Sequence, residues 1–155
     1  MILNIVPITA ETAEAIRAGG PDAAGRTAAR MVSTGAGFPC RLCLRNIGEG
    51  EGALLFSYAP NPPGPFWEAG PVFIHEAACR RRRCNGRLPT VARGGARTIR
   101  AYDADHRIVY GENRLVDDPA ALEMELRGAL IHPDVAYVHV RNSRAGCFAF
   151  RVERA

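Results

Sequence analysis

Lysine is missing from this chain: all 20 basic residues are arginine. With abundant Ala and Gly, that is the mark of GC-rich coding, and no function follows from it. No stretch approaches the ~20 apolar residues of a membrane-spanning helix. The opening segment MILNIVPITAETAE has no basic n-region and turns polar by Thr9, so no signal peptide is expected and the cytosol is the expected compartment. No repeat or domain boundary is visible, and 155 residues predict a single domain over 1–155. A distributed basic face is also lacking. The net charge is +4, and without Arg80–Arg83 the 20 arginines fall to 16, equal to the 16 acidic residues. That argues against a general nucleic-acid binder. No serine nucleophile elbow, phosphate-cradling glycine loop or paired-carboxylate pattern stands out, so no catalytic residue is assigned.

The apolar fraction of 47% and charged fraction of 23% are those of a globular protein with its own core. The pattern along the chain predicts α+β architecture: a mainly antiparallel sheet, two or three helices and a C-terminal β-hairpin. Residues 1–8 read as a strand. Thr9 caps a helix over 10–18 that Gly19 and Gly20 stop. Residues 22–32 suggest a weaker helix, with Gly25 counting against it. Residues 33–52 read as a glycine-rich loop or knuckle. Strands follow at 53–58 and 71–75, joined by a proline-rich loop expected to be pinned by Phe66 and Trp67. RTIRAYD and RIVYGEN flank a turn at Ala104-Asp105-His106. Asp118-Pro119 starts a helix whose Leu122, Leu126, Ala129 and Leu130 share one face. VAYVHVRN and CFAFRVE close the chain as two strands.

Five cysteines, an odd number, cannot all enter intrachain disulfides, and the expected compartment keeps thiols reduced. Cys40 and Cys43 form C-x2-C; His75 and Cys79 form H-x3-C. Two thiols from a tight turn, plus a His and a thiol one helical turn apart, deliver four soft donors to a tetrahedral ion, and zinc is the expected metal. Arg41 and Arg80–Arg83 are placed to offset the −1 charge of such a site. Cys84 can replace His75 or Cys79. The alternatives are unligated packed thiols, or a redox pair at Cys40 and Cys43 whose glycine-rich flanks make a poor setting for a thioredoxin-like helix.

Along VAYVHVRN, alternation puts Tyr137, His139 and Arg141 on one face, and with Arg151 they can line a cationic groove for a carboxylate or phosphate. The competing interpretation is a solvated outer face of a half-buried sheet. Across the turn, Phe148, Phe150 and Val152 are expected to share a face. Arg80, Arg81, Arg82 and Arg83 can contact a phosphate backbone, although four arginines in a loop are more often simply solvated.

Four blocks of this sequence, FPCRLCL, AGPVFIHEAAC, RAYDAD and YVHVRNSRAGCFAFRVER, together resemble the domain-of-unknown-function 1203 family of small bacterial proteins. The likeness runs from about Phe38 to the C-terminus, and members have about this length. The resemblance implies a bacterial, cytoplasmic, single-domain protein and carries no assigned activity or site residues.

The leading expectation is a binding or regulatory module with a structural zinc site. The first alternative is a thiol- or zinc-dependent enzyme, using Cys40, Cys43 or the metal on a small anionic substrate. The second is a nucleic-acid-binding protein using Arg80–Arg83. The sequence names no partner, gives no membrane contact, disfavours nucleic acid and leaves a homo-oligomer open.

Overall fold

The computed structural model describes every residue except Cys84. The fold is α+β, with two antiparallel sheets, two α-helices and a C-terminal β-hairpin. Its strands are β1 (Leu3–Val6), β2 (Ala29–Val32), β3 (Gly52–Tyr58), β4 (Gly70–His75), β5 (Arg97–Tyr102), β6 (Arg114–Val116), β7 (Tyr137–Asn142) and β8 (Phe148–Arg154); its helices are α1 (Ala10–Arg17) and α2 (Leu122–Ile131). No helix among the described residues is long and apolar enough to cross a membrane. The chain divides into two compact units.

The first unit comprises Met1–Val6, Asn61–Trp67 and Cys84–Ala155. Its sheet has the order β1-β8-β7-β5-β6. One sheet face carries Ile5, Ile99, Ala101, Val138, Val140, Phe150 and Val152, all buried, and α2 buries Leu122, Leu126, Ala129 and Leu130. Each fully buried leucine contributes about 1.5–3 kcal/mol relative to an exposed one. The helix begins where expected, because Asp118 Oδ1 accepts from Ala120 N at 2.9 Å and Pro119 presets the first turn.

The turn at Ala104–His106 forms through Asp103, whose Oδ1 accepts from Asp105 N and Arg107 N. Its second arm is shorter than expected. Beyond a single Tyr102–Ile108 bridge, the chain makes a 3-10 turn at Tyr110–Glu112, and β6 rather than residues 107–113 becomes the strand paired with β5. In the proline-rich loop, Trp67 is exposed and Phe66 only meets the edge of the Tyr110 ring. Asn61 is the buried anchor instead, its Oδ1 accepting from Tyr137 Oη at 2.8 Å.

The second unit comprises Pro7–Pro60 and Glu68–Arg83 and has a three-stranded sheet, β2-β3-β4. Helix α1 starts on Thr9, whose Oγ1 accepts from Thr12 N at 3.1 Å. The weak helix expected over 22–32 does not form. Asp22 Oδ1 accepts from Ala24 N and Arg26 N, Gly25 takes φ +74°, and residues 29–32 pair with β3 as a strand. A short polar side chain bonding its own backbone competes directly with a helix start, and here it prevails.

Candidate metal centre

Residues 33–51 form a loop, as their glycine content suggests, and it tightens around FPCRLCL. Cys40 N donates to Arg45 O and Leu44 N to Cys40 O, both at 2.9 Å, which folds Cys40–Arg45 into a turn. Leu44 sits at φ 56°, an uncommon position for a branched residue that lets the turn close. Arg41 N donates to Phe73 O at 2.8 Å, fastening this turn beside β4. His75 is the last residue of β4. No helical turn follows it, contrary to expectation: the chain bends at Glu76 and Ala77, and that bend returns Cys79 to the turn.

The ligand atoms of Cys40, Cys43, His75 and Cys79 all lie within 4.8 Å of one another. Cys40 Sγ is 3.8 Å from Cys79 Sγ, and Cys43 Sγ is 3.7 Å from His75 Nδ1. Cys40 is 0% and Cys43 5% exposed; His75 and Cys79 are half-buried. The sulfurs compete for protons. Hydrogen bonds from the Cys43 and then the Cys79 side chains pull the Cys40 thiol down to about 2, and the bond to Cys40 pushes the Cys79 thiol well above its usual range. A cation that takes the sulfurs as thiolates removes that competition. The donor set therefore fits a metal ion: a buried group of three cysteines and one histidine that could hold one.

Two residues that sequence inspection missed complete the surroundings. Arg17, in the last turn of α1, donates from Nη2 to Cys79 Sγ at 3.4 Å and from Nε to His75 O at 3.1 Å. Glu51 Oε2 lies 3.7 Å from His75 Nε2, on the ring side away from Cys43. The carboxylate is thus where a metal-bound histidine commonly finds its second partner. Neither residue carries a local sequence signal: Arg17 comes from α1, 62 positions from Cys79, and Glu51 from the end of the cysteine-bearing loop, well removed in sequence from His75. Arg17 holds the position beside sulfur that was expected of the arginine run.

That run is exposed at Arg80, Arg81 and Arg83 and half-buried at Arg82. Arg81 donates from Nε to Ile8 O at 3.1 Å and from Nη2 to Pro7 O at 3.3 Å, and Arg82 N donates to Leu42 O at 3.0 Å. The stretch is tied to its own unit by these bonds. Cys84, expected as a substitute ligand, lies outside the described residues.

The second expected group, Tyr137, His139, Arg141 and Arg151, belongs to β7 and β8 of the other unit. Its face is not the solvated one considered above: Tyr137 and His139 are fully buried and Arg141 nearly so. Arg151 is half-buried, with its guanidinium 3.8 Å from the centre of the Tyr137 ring. The expected face-sharing of Phe148 with Phe150 fails. A register shift between Val140 and Arg141 pairs Phe150 with Val140 but Phe148 with Arg141, and the Phe148 ring lies edge-on to His139 at 5.0 Å.

The profile of the family described as a protein of unknown function, DUF1203, matches residues 37–154. The chain belongs to that family. All four candidate ligands fall inside the DUF1203 match, whereas Arg17 lies before it. No curated protein and no solved structure matches the chain.

Proposed function

We propose that Cys40, Cys43, His75 and Cys79 bind a structural zinc ion, and that this DUF1203 protein is a small bacterial cytoplasmic binding or regulatory module. The observation that carries the proposal is the pair of cross distances. Tetrahedral zinc with Zn–S of about 2.3 Å and Zn–N of about 2.0–2.1 Å separates two sulfurs by about 3.8 Å and a sulfur from a nitrogen by about 3.6 Å. The Cys40–Cys79 and Cys43–His75 separations of 3.8 and 3.7 Å are close to those values, which supports the reading. A disulfide holds its sulfurs at about 2.05 Å, so Cys40 and Cys79 at 3.8 Å are unbonded free thiols. Reduced, adjacent thiols also suit a cytoplasmic setting.

A structural rather than catalytic role is supported by the donor count. Four protein donors leave a tetrahedral ion no position for water or substrate. The Arg17 hydrogen bond to Cys79 offsets part of the excess negative charge of three thiolates around a divalent ion. Protein purified without chelator or a nickel column should contain about one zinc per chain. Cys43→Ala should lose that zinc and melt at lower temperature. Wild type that contains no zinc as purified, and melts at the same temperature as Cys43→Ala, would defeat the proposal.

A further inference from the structure

Away from the thiols, the first unit holds a second polar cluster of a different kind. His139 is 0% exposed, and neither ring nitrogen has a hydrogen-bond partner among the described residues. The same is true of Tyr102 Oη and of Asn61 Nδ2. These groups are contiguous. The Tyr102 ring lies 4.6 Å from the His139 ring and stacks on Tyr137 at 5.1 Å; Tyr137 lies 5.3 Å from His139. Tyr137 Oη donates to Asn61 Oδ1 and shares a 2.9 Å hydrogen bond with His106 Nδ1.

The orphaned atoms have one chemistry in common. A tyrosine hydroxyl and an amide nitrogen can donate, and so can one nitrogen of a neutral imidazole. A buried donor with nothing to accept from it costs about 1–3 kcal/mol, and several in one cluster are a large fraction of a domain's stability. The charge around them has one dominant sign. Arg100 on β5, Arg141 on β7 and Arg151 on β8 all act on His139, together with His106 in the β5 turn; Glu153 is occupied by Arg151, 3.1 Å from its Nε. Burial first, then those cations, holds the His139 imidazole well below its usual range. The cluster is thus rich in donors, its buried side chains include no carboxylate among the described residues, and the half-buried Asp103 and Glu153 act on Tyr137.

We propose that Asn61, Tyr102 and His139 form a buried binding site for a small oxyanion, a carboxylate or inorganic phosphate. Such a ligand accepts from the unpartnered donors. The site is independent of the thiol cluster, so either can fail without the other.

Formate and inorganic phosphate serve as separate probes, with sodium chloride at equal ionic strength as reference. At a concentration about five times Kd, a binding probe should raise the melting temperature by about 2–4 °C for a chain of this size. In wild-type protein the His139 ring resonances should move with the same midpoint. A response to formate alone assigns a carboxylate site, to phosphate alone a phosphate site, and to both a general oxyanion site. Tyr102→Phe should melt no lower than wild type without probe, since it removes an unsatisfied group, and should bind the probe about tenfold more weakly. Two results overturn the proposal: neither probe moving the His139 resonances beyond the chloride reference, or Tyr102→Phe responding like wild type.

Discussion

The three-stranded unit buries a set of soft donors that closes on a common centre, whereas the five-stranded unit buries hydrogen-bond donors that lack an acceptor among the described residues. In the first, Cys40, Cys43, His75 and Cys79 converge, and Arg17 and Glu51 already stand behind them. In the second, His139, Tyr102 and Asn61 are held by ring packing and strand register, and both His139 ring nitrogens, Tyr102 Oη and Asn61 Nδ2 have no hydrogen-bond partner among the described residues. A buried polar group must be paired, coordinated or expensive. Coordination is our explanation for the thiol cluster, and an anion is our explanation for the histidine cluster. The difference also separates what each contributes: zinc would hold the three-stranded unit together, while α2 and its apolar sheet face already hold the five-stranded one.

The largest effect should follow from stripping the metal. Chelation should cost several kcal/mol, below the ~10–16 kcal/mol of zinc-finger peptides because residues such as Ile47, Phe56 and Ile74 keep a core of their own. Hydrogen exchange should accelerate in β3 and β4 and much less in β7 and β8. Equal acceleration in both regions would break the contrast between the units. Next in size, Leu126→Ala, at a fully buried position of α2, should cost about 2–5 kcal/mol in denaturant unfolding while leaving bound metal unchanged.

A smaller effect belongs to pH. The folded chain keeps His139 neutral, whereas the unfolded chain takes up a proton there below about pH 6.5. Unfolded protein then binds the extra proton, so this contribution to stability is lost as pH falls below that point, at up to about 1.4 kcal/mol per pH unit. Arg141, Arg151, Arg100 and His106 are the charged and titratable groups that act on the ring. Comparing wild type with His139→Phe between pH 7 and 5 isolates the term; parallel curves would contradict it. The smallest effect is Thr9→Ala, which should cost about 1 kcal/mol by removing the α1 cap and should loosen Arg17 at the far end of that short helix.

Local chemistry was readable where helix caps and apolar spacing decide the outcome. The Thr9 and Asp118 caps, the buried stripe of α2 and the His75 position at a strand end all follow from spacing and residue type. Failures occurred where a competing local bond or a distant partner decided. Asp22 turned a weak helical stretch into a turn and strand, and a one-residue register shift moved Phe148 to the His139 side. The four candidate ligands were legible because C-x2-C and H-x3-C are short motifs. Arg17 and Glu51 were not, because nothing near either residue announces a sulfur or an imidazole.

X-ray absorption at the zinc edge, on protein never exposed to chelator, tests the central claim most directly. The account predicts about three sulfur scatterers near 2.3 Å and one nitrogen near 2.0–2.1 Å, with no oxygen in the shell. A shell of oxygen and nitrogen atoms, or a shell unchanged in Cys43→Ala, would contradict it.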